Sequence, residues 1–148
     1  MSSNSAFTVQ QTVRWSDLDP NGHLRHSVYY DWGATCRIAF FNQYGLTAEV
    51  MASRKTGPIL FREECIFRRE IRMNEDIRID LQLMGGRRDY SRWSIRHQLF
   101  KADGQLAATI NVEGAWIDLE KRKLALPGKT ITSVFEHLPL SENFAWSD

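Results

Sequence analysis

The order of apolar and polar positions sets one long helical stretch among strands. Phe7, Val9, Gln11, Val13 and Trp15 alternate with Thr8, Gln10, Thr12 and Arg14, the period-two pattern of a strand that buries one face. From about Ser27 the period changes. Tyr29, Trp32, Cys36, Ala39, Phe40 and Gln43 recur at three- and four-residue steps, which predicts a helix of about 18 residues and ~27 Å. Ser27 or His26 is the expected N-cap and Gly45 the expected stop.

Four more strands follow. The first places Ile59, Phe61, Glu63, Cys65 and Phe67 on one face and Leu60, Arg62, Glu64, Ile66 and Arg68 on the other. Ile77 to Leu83 and Trp93 to Leu99 alternate in the same way, and Asp103-Gly104 makes a hairpin turn into a last strand from Gln105 to about Leu119. Gly114 within it marks a bulge or a close backbone approach. Strand, helix and four consecutive strands predict an α+β fold: an antiparallel five-stranded sheet wrapped around one central helix. The tail has room for one short helix near Val134 to His137, limited by Pro127 and Pro139.

Composition narrows the class. A chain of 148 residues fits a single domain, 1–148, with a core at about 7–119 and a C-terminal extension at 120–148. Apolar residues at 43% and charged residues at 25% exclude disorder as the main state. The net charge of +1 gives no global reason to expect nucleic acid. No apolar run is long enough to span a membrane, and Met1-Ser2-Ser3-Asn4-Ser5 is a short polar start. Cys36 and Cys65 lack a CxxC context and are expected as reduced thiols, so the expected location is the cytoplasm. Positive charge gathers at Arg68, Arg69 and Arg72, at Arg87, Arg88 and Arg92, and at Lys121, Arg122 and Lys123, either as local anion sites or as a solvated surface.

The chemistry concentrates in Trp15-Ser16-Asp17-Leu18-Asp19-Pro20-Asn21-Gly22-His23-Leu24, directly ahead of the helix. A helix start collects unpaired N–H groups and the positive end of the macrodipole, so it can polarise a carbonyl. A carboxylate beside it can attack or direct water, which suits ester or thioester hydrolysis. Asp19 is the candidate, with an Asx turn as its structural alternative. Asp17 is expected to hold the loop. His23 either orients the loop or acyl group or is simply a hydrogen-bonded loop residue, and His26 is a candidate for substrate contact. Of the adjacent Glu63 and Glu64 one must point inward; Glu64 is favoured as a base with a raised pKa, against a surface ion pair. His23, His26, Asp17 and Asp19 lack the spacing of known zinc sites, so no metal is expected.

Asp17-x-Asp19-x-x-Gly22-His23 ahead of a helix with Tyr29-Tyr30-x-Trp32 resembles the hot-dog-fold acyl-CoA thioesterases, in the 4-hydroxybenzoyl-CoA thioesterase-like branch. The resemblance covers Phe7 to about Leu119. It implies hydrolysis of an acyl-CoA to free acid and CoA, with Asp19 as the catalytic carboxylate and Gly22 and His23 shaping its loop. It also implies carbonyl polarisation by the backbone N–H groups from Leu24 through Arg25 and His26 to Ser27. CoA enters as part of the substrate, with no separate cofactor, and the expected assembly is a homodimer or homotetramer. Arg87, Arg88 and Arg122, with Lys121 and Lys123, are the residues offered to the CoA phosphates. Many relatives carry two Asn residues where this chain has Arg25 and His26. Two other readings stay open: an acyl-CoA hydratase or dehydratase on the same fold, and a non-catalytic acyl-CoA-binding module.

Overall fold

The computed structural model describes residues 4–147, so Met1 to Ser3 of the polar start lie outside the described residues. Helix α1, His26–Gln43, runs for 18 residues. Its buried face carries Val28, Tyr29, Trp32, Cys36, Phe40 and Phe41. Gly45, at φ +86°, occupies the left-handed position just past its end, where a residue without Cβ meets no steric penalty.

The sheet curls over that face. Its strands are β1 (Thr8–Thr12), β2 (Thr56–Phe67), β3 (Asp76–Asp80), β4 (Gln82–Gly86), β5 (Arg92–Phe100), β6 (Leu106–Asp118), β7 (Lys123–Leu124) and β8 (Leu140–Trp146). β6 pairs with β2 on one side and β5 on the other; β5 in turn pairs with β3 and β4, β3 carries β1, and β4 carries β8. With β3 and β4 counted as one interrupted strand, β1, β2, β3–β4, β5 and β6 are the five expected strands, and β7 and β8 are added to them. Ile77, Ile79, Leu81, Leu83, Ile95, Leu99, Ile110 and Val112 point into the core against α1, each almost fully buried. At ~25 cal/mol per Å² this shared burial is the main force holding sheet to helix.

The interruption at Leu81 has a local cause. The Asp80 carboxylate accepts from the Gln98 N–H at 2.7 Å, and the Asp80 carbonyl faces His97 Nδ1 at 2.9 Å, so side chains replace part of the ladder. At Gly114 both expected features occur together. The β2–β6 register slips between Leu60 and Arg62 opposite it, and a Cβ there would lie 2.4 Å from the Trp93 ring.

Four expectations are corrected. Trp15 leaves the first strand in a 3-10 turn, Trp15–Asp17, and is 79% exposed, whereas Trp32, Trp93 and Trp116 are core. The N-cap of α1 is Arg25, not Ser27 or His26, and among the described residues no side chain caps it. The short tail helix begins earlier, as α3 Lys129–Phe135, because Pro127 precedes it and Pro139 lies beyond its end. The tail then returns as β8, parallel to β4, which the weak alternation of Leu140 to Trp146 did not signal. A smaller helix, α2, spans Ala48–Ser53, with the Thr47 hydroxyl accepting from the Val50 N–H at 3.2 Å.

Candidate active site

Short-range bonds shape the Asp19 loop. Asp19 N–H donates to the His23 carbonyl at 2.7 Å, and Gly22 N–H, at φ +79°, donates back to the Asp19 carbonyl at 3.0 Å. Asp19 Oδ1 accepts from Asn21 N–H at 2.8 Å and from His23 N–H at 3.0 Å. The bonds from His23 and Asn21 hold this carboxyl below its ordinary value, so it is ionised at neutral pH. Both bonds fall on Oδ1, and among the described residues no hydrogen bond falls on Oδ2.

Asp17 lies beneath the loop and is 3% exposed. Its carboxylate accepts from Arg14 N–H at 2.9 Å, Nε at 3.2 Å and Nη2 at 3.1 Å. The Arg14 guanidinium lowers its pKa. The Asp17 carbonyl in turn accepts the Arg25 N–H at 2.7 Å. That bond corrects one expectation: Arg25 N–H cannot polarise a substrate carbonyl. Leu24 N–H is likewise taken, by the Ile71 carbonyl at 2.7 Å. The Arg25 side chain turns to Ser27 Oγ and the Ser16 carbonyl, at 3.0 and 2.8 Å. His26 and Ser27, in the first turn of an uncapped helix, keep N–H groups with no intrahelical acceptor.

These parts meet in a pocket of about 350 Å³. Asp19, His23, Leu24, His26 and Tyr29 line one wall, and Phe67, Arg68, Arg69 and Glu70 the other. His23 Nε2 lies 3.3 Å from Glu70 Oε2, which also takes Arg72 Nη2 at 2.7 Å. Tyr29 meets Phe67 edge-on at 4.9 Å, and burial pushes its hydroxyl up to about 12, so it stays protonated. Tyr29, Phe67 and Glu70 had no expected site role, and Arg68 and Arg69 were expected only as one of three charge clusters, either an anion site or a solvated surface. The spacing of His26 and Tyr29, one turn apart on α1, signals a shared face, and the Arg68-Arg69 pair was visible as a charge cluster.

Other expected residues lie elsewhere. Glu64 is corrected: it turns away from α1, bonded by Asn111 Nδ2 at 2.9 Å and Arg62 at 2.8 Å, and these donors lower its pKa rather than raise it. Glu63 is the inward residue, 3.8 Å from the buried Arg37 of α1. Arg87 borders a different cavity with Phe61, Arg92 and Trp93, Arg88 sits over the Trp146 ring, and Arg122 lies in the turn between β6 and β7. Phe61 and Phe67 are about six residues apart on β2, or ~20 Å, so these arginines do not join the Asp19 pocket within one chain. Among the described residues no group of three or more His, Cys, Asp or Glu side chains is placed to hold a metal ion.

The family model of the thioesterase-like superfamily matches residues 13–135, which takes in the Asp19 loop, α1 and strands β2 to β7, and leaves out β1 and β8. The chain belongs to the thioesterase-like superfamily. Solved structures share this hot-dog fold. A Staphylococcus aureus protein in complex with CoA superposes with a TM-score of 0.84 over 93% of this chain and 85% of its own, at 21% identity. A 1,4-dihydroxy-2-naphthoyl-CoA thioesterase from Synechocystis gives 0.78 over 88% and 95%, at 16% identity. A DHNA-CoA thioesterase from Staphylococcus aureus gives 0.79 over 88% and 89%, at 15% identity. At such identities these likenesses bear on the fold. No curated protein matches the chain. Among the described residues no helix of this superfamily member is long and apolar enough to cross a membrane.

Proposed function

We propose that this thioesterase-superfamily chain hydrolyses an acyl-CoA thioester, with the Asp19 carboxylate as its reacting group. One observation carries the reading: Asp19, ionised and with Oδ2 unoccupied among the described residues, borders the same pocket as His26 at the uncapped start of α1. A thioester oxygen at the His26 and Ser27 amides gains electrophilicity at its carbon, and donors of this kind contribute typically ~3 kcal/mol in the transition state. The loop amides hold Oδ1 and leave Oδ2 without a hydrogen bond among the described residues, so Oδ2 is the oxygen suited to direct attack on the carbonyl carbon. Oδ2 adds to the carbonyl carbon, the C–S bond breaks, and the CoA thiolate leaves and takes a proton from solvent. Water then cleaves the acyl-Asp19 anhydride to free acid and restores the carboxylate.

Arg68 and Arg69, exposed at the pocket wall, are suited to anionic groups of the CoA arm. The long edge strand β2 supports the expected homo-oligomer. Among the described residues it pairs on one side only, with β6, and it exposes Leu60, Phe61, Ile66 and Phe67. A second copy pairing antiparallel along β2 would bring its own Arg87 and Arg92 toward the Phe67 end, giving those arginines a route to the phosphates. Both cysteines are free, consistent with a reducing cytoplasm.

Thiol release from a panel of acyl-CoAs tests the reading. Asp19→Asn is expected to lower kcat at least about a hundredfold with the fold intact. Equal rates in parent and variant would refute it.

A further inference from the structure

Asp19 borders two cavities. Beside the polar pocket lies a groove of about 520 Å³ lined by Trp15, Ser16, Leu18, Asp19, Pro20 and Gly22. Trp15, Leu18 and Pro20 make it chiefly apolar, and the Trp15 indole is 79% exposed. Indole is a large apolar surface that normally contributes by being covered. The exposure has a local cause. Asp17 is tied down by Arg14, so the 3-10 turn buries its third residue and leaves its first outside. Pro20 and the hydrogen-bonded Gly22 turn hold the opposite wall, so the groove is preformed.

We propose that this groove receives the acyl group and that Trp15 sets its size, making the substrate an apolar acyl thioester bulkier than acetyl. The inference rests on hydrolysis at Asp19. A thioester carbon placed over Asp19 has two branches, the acyl group and the sulfur, which depart in different directions. Two cavities meeting at Asp19 supply those directions, and their linings differ as the branches do. The apolar groove with Trp15 suits the acyl group. The pocket with His23, His26, Arg68 and Arg69 suits the polar, anionic CoA arm. Contact with the indole, remote from the reacting bond, gives binding energy that acetyl cannot realise.

The experiment measures thiol release by the full chain from acetyl-CoA, hexanoyl-CoA and benzoyl-CoA. The parent is expected to favour the two larger substrates. Trp15→Ala should lower kcat/KM for these about 10–100-fold and for acetyl-CoA by less than ~3-fold, while Trp15→Phe retains most of the preference. Because the indole is exposed, melting temperature should not move. Equal losses on all three substrates, no loss, or a parent that prefers acetyl-CoA would overturn the proposal. So would a fall in oligomeric mass of Trp15→Ala by sedimentation, which would show that a second copy covers the indole. Thiol release that survives Asp19→Asn would instead overturn the hydrolytic reading itself. Loss with Asp19→Asn but indifference to Trp15 would sink this inference alone.

Discussion

Helix α1 carries two polar clusters, and they are held in opposite ways. At its start, Asp19 is half-buried and bonded by the backbone amides of its own loop, which keep it charged. Midway along, Arg37 of α1 meets His97 of β5 with Nη1 and Nε2 3.0 Å apart, in full burial. His97 Nδ1 faces the Asp80 carbonyl, so it must carry the proton, and Nε2 accepts from Arg37. Burial drives His97 down to about 3, raises the Asp80 carboxyl and lowers Arg37. Amide donors next to solvent preserve a charge that chemistry can use. Burial favours neutral partners and yields a structural joint between helix and sheet.

The largest effect that tests this contrast is on the joint. Arg37→Ala leaves the His97 acceptor unpaired and removes the partner of Glu63. Glu63 is partly exposed and 3.8 Å away, so the loss falls at the low end for buried pairs, about 3 kcal/mol. That corresponds to ~6–12 °C in Tm, read by calorimetry. A smaller loss is expected under the loop. Asp17→Asn weakens the grip on an exposed Arg14, and solvent screening keeps the cost to about 1 kcal/mol, ~2–4 °C. The folded pKa of Asp17 lies below its ordinary 3.8, so this stabilisation is complete above that value and is lost as pH falls through the folded pKa. The gap in Tm between parent and variant should therefore close in acid.

His97 gives the finest test. Its folded pKa, about 3, lies below the ordinary 6.5, so between these values the unfolded chain binds the extra proton. Stability then falls as pH drops through that window. His97→Gln can donate to the Asp80 carbonyl and accept from Arg37 without titrating. From pH 7 to pH 5 the variant should lose less Tm than the parent; an equal loss would mean that His97 is protonated in the folded protein.

The two clusters also differ in how legible they were in the sequence. Asp17, Asp19, Gly22 and His23 lie within seven residues of one another, and the loop they form is held by bonds of short sequence separation. Arg37, Glu63, Asp80 and His97 come from four elements and meet only through the sheet register. The period-two face of β5 placed His97 inward, but nothing nearby named Arg37 as its donor. β2 misled for a related reason. Its alternation distinguished two faces, but as a one-sided edge strand it exposes apolar residues on both, so Glu64 could not be placed by pattern alone. Arg68 and Arg69 stood out as a charge cluster, but nothing near them in sequence linked the wall from Phe67 to Glu70 with the Asp19 loop, because β2 delivers it to the helix start through the fold.

If Asp19 is chemical and Arg37 structural, thiol release per folded molecule and Tm, measured together for Asp19→Asn and Arg37→Ala, must separate. Asp19→Asn is expected to lose at least about a hundredfold in kcat with Tm little changed, while Arg37→Ala loses Tm and keeps its rate, in line with that division of roles. Hydrolysis that survives in Asp19→Asn and vanishes in folded Arg37→Ala would contradict it.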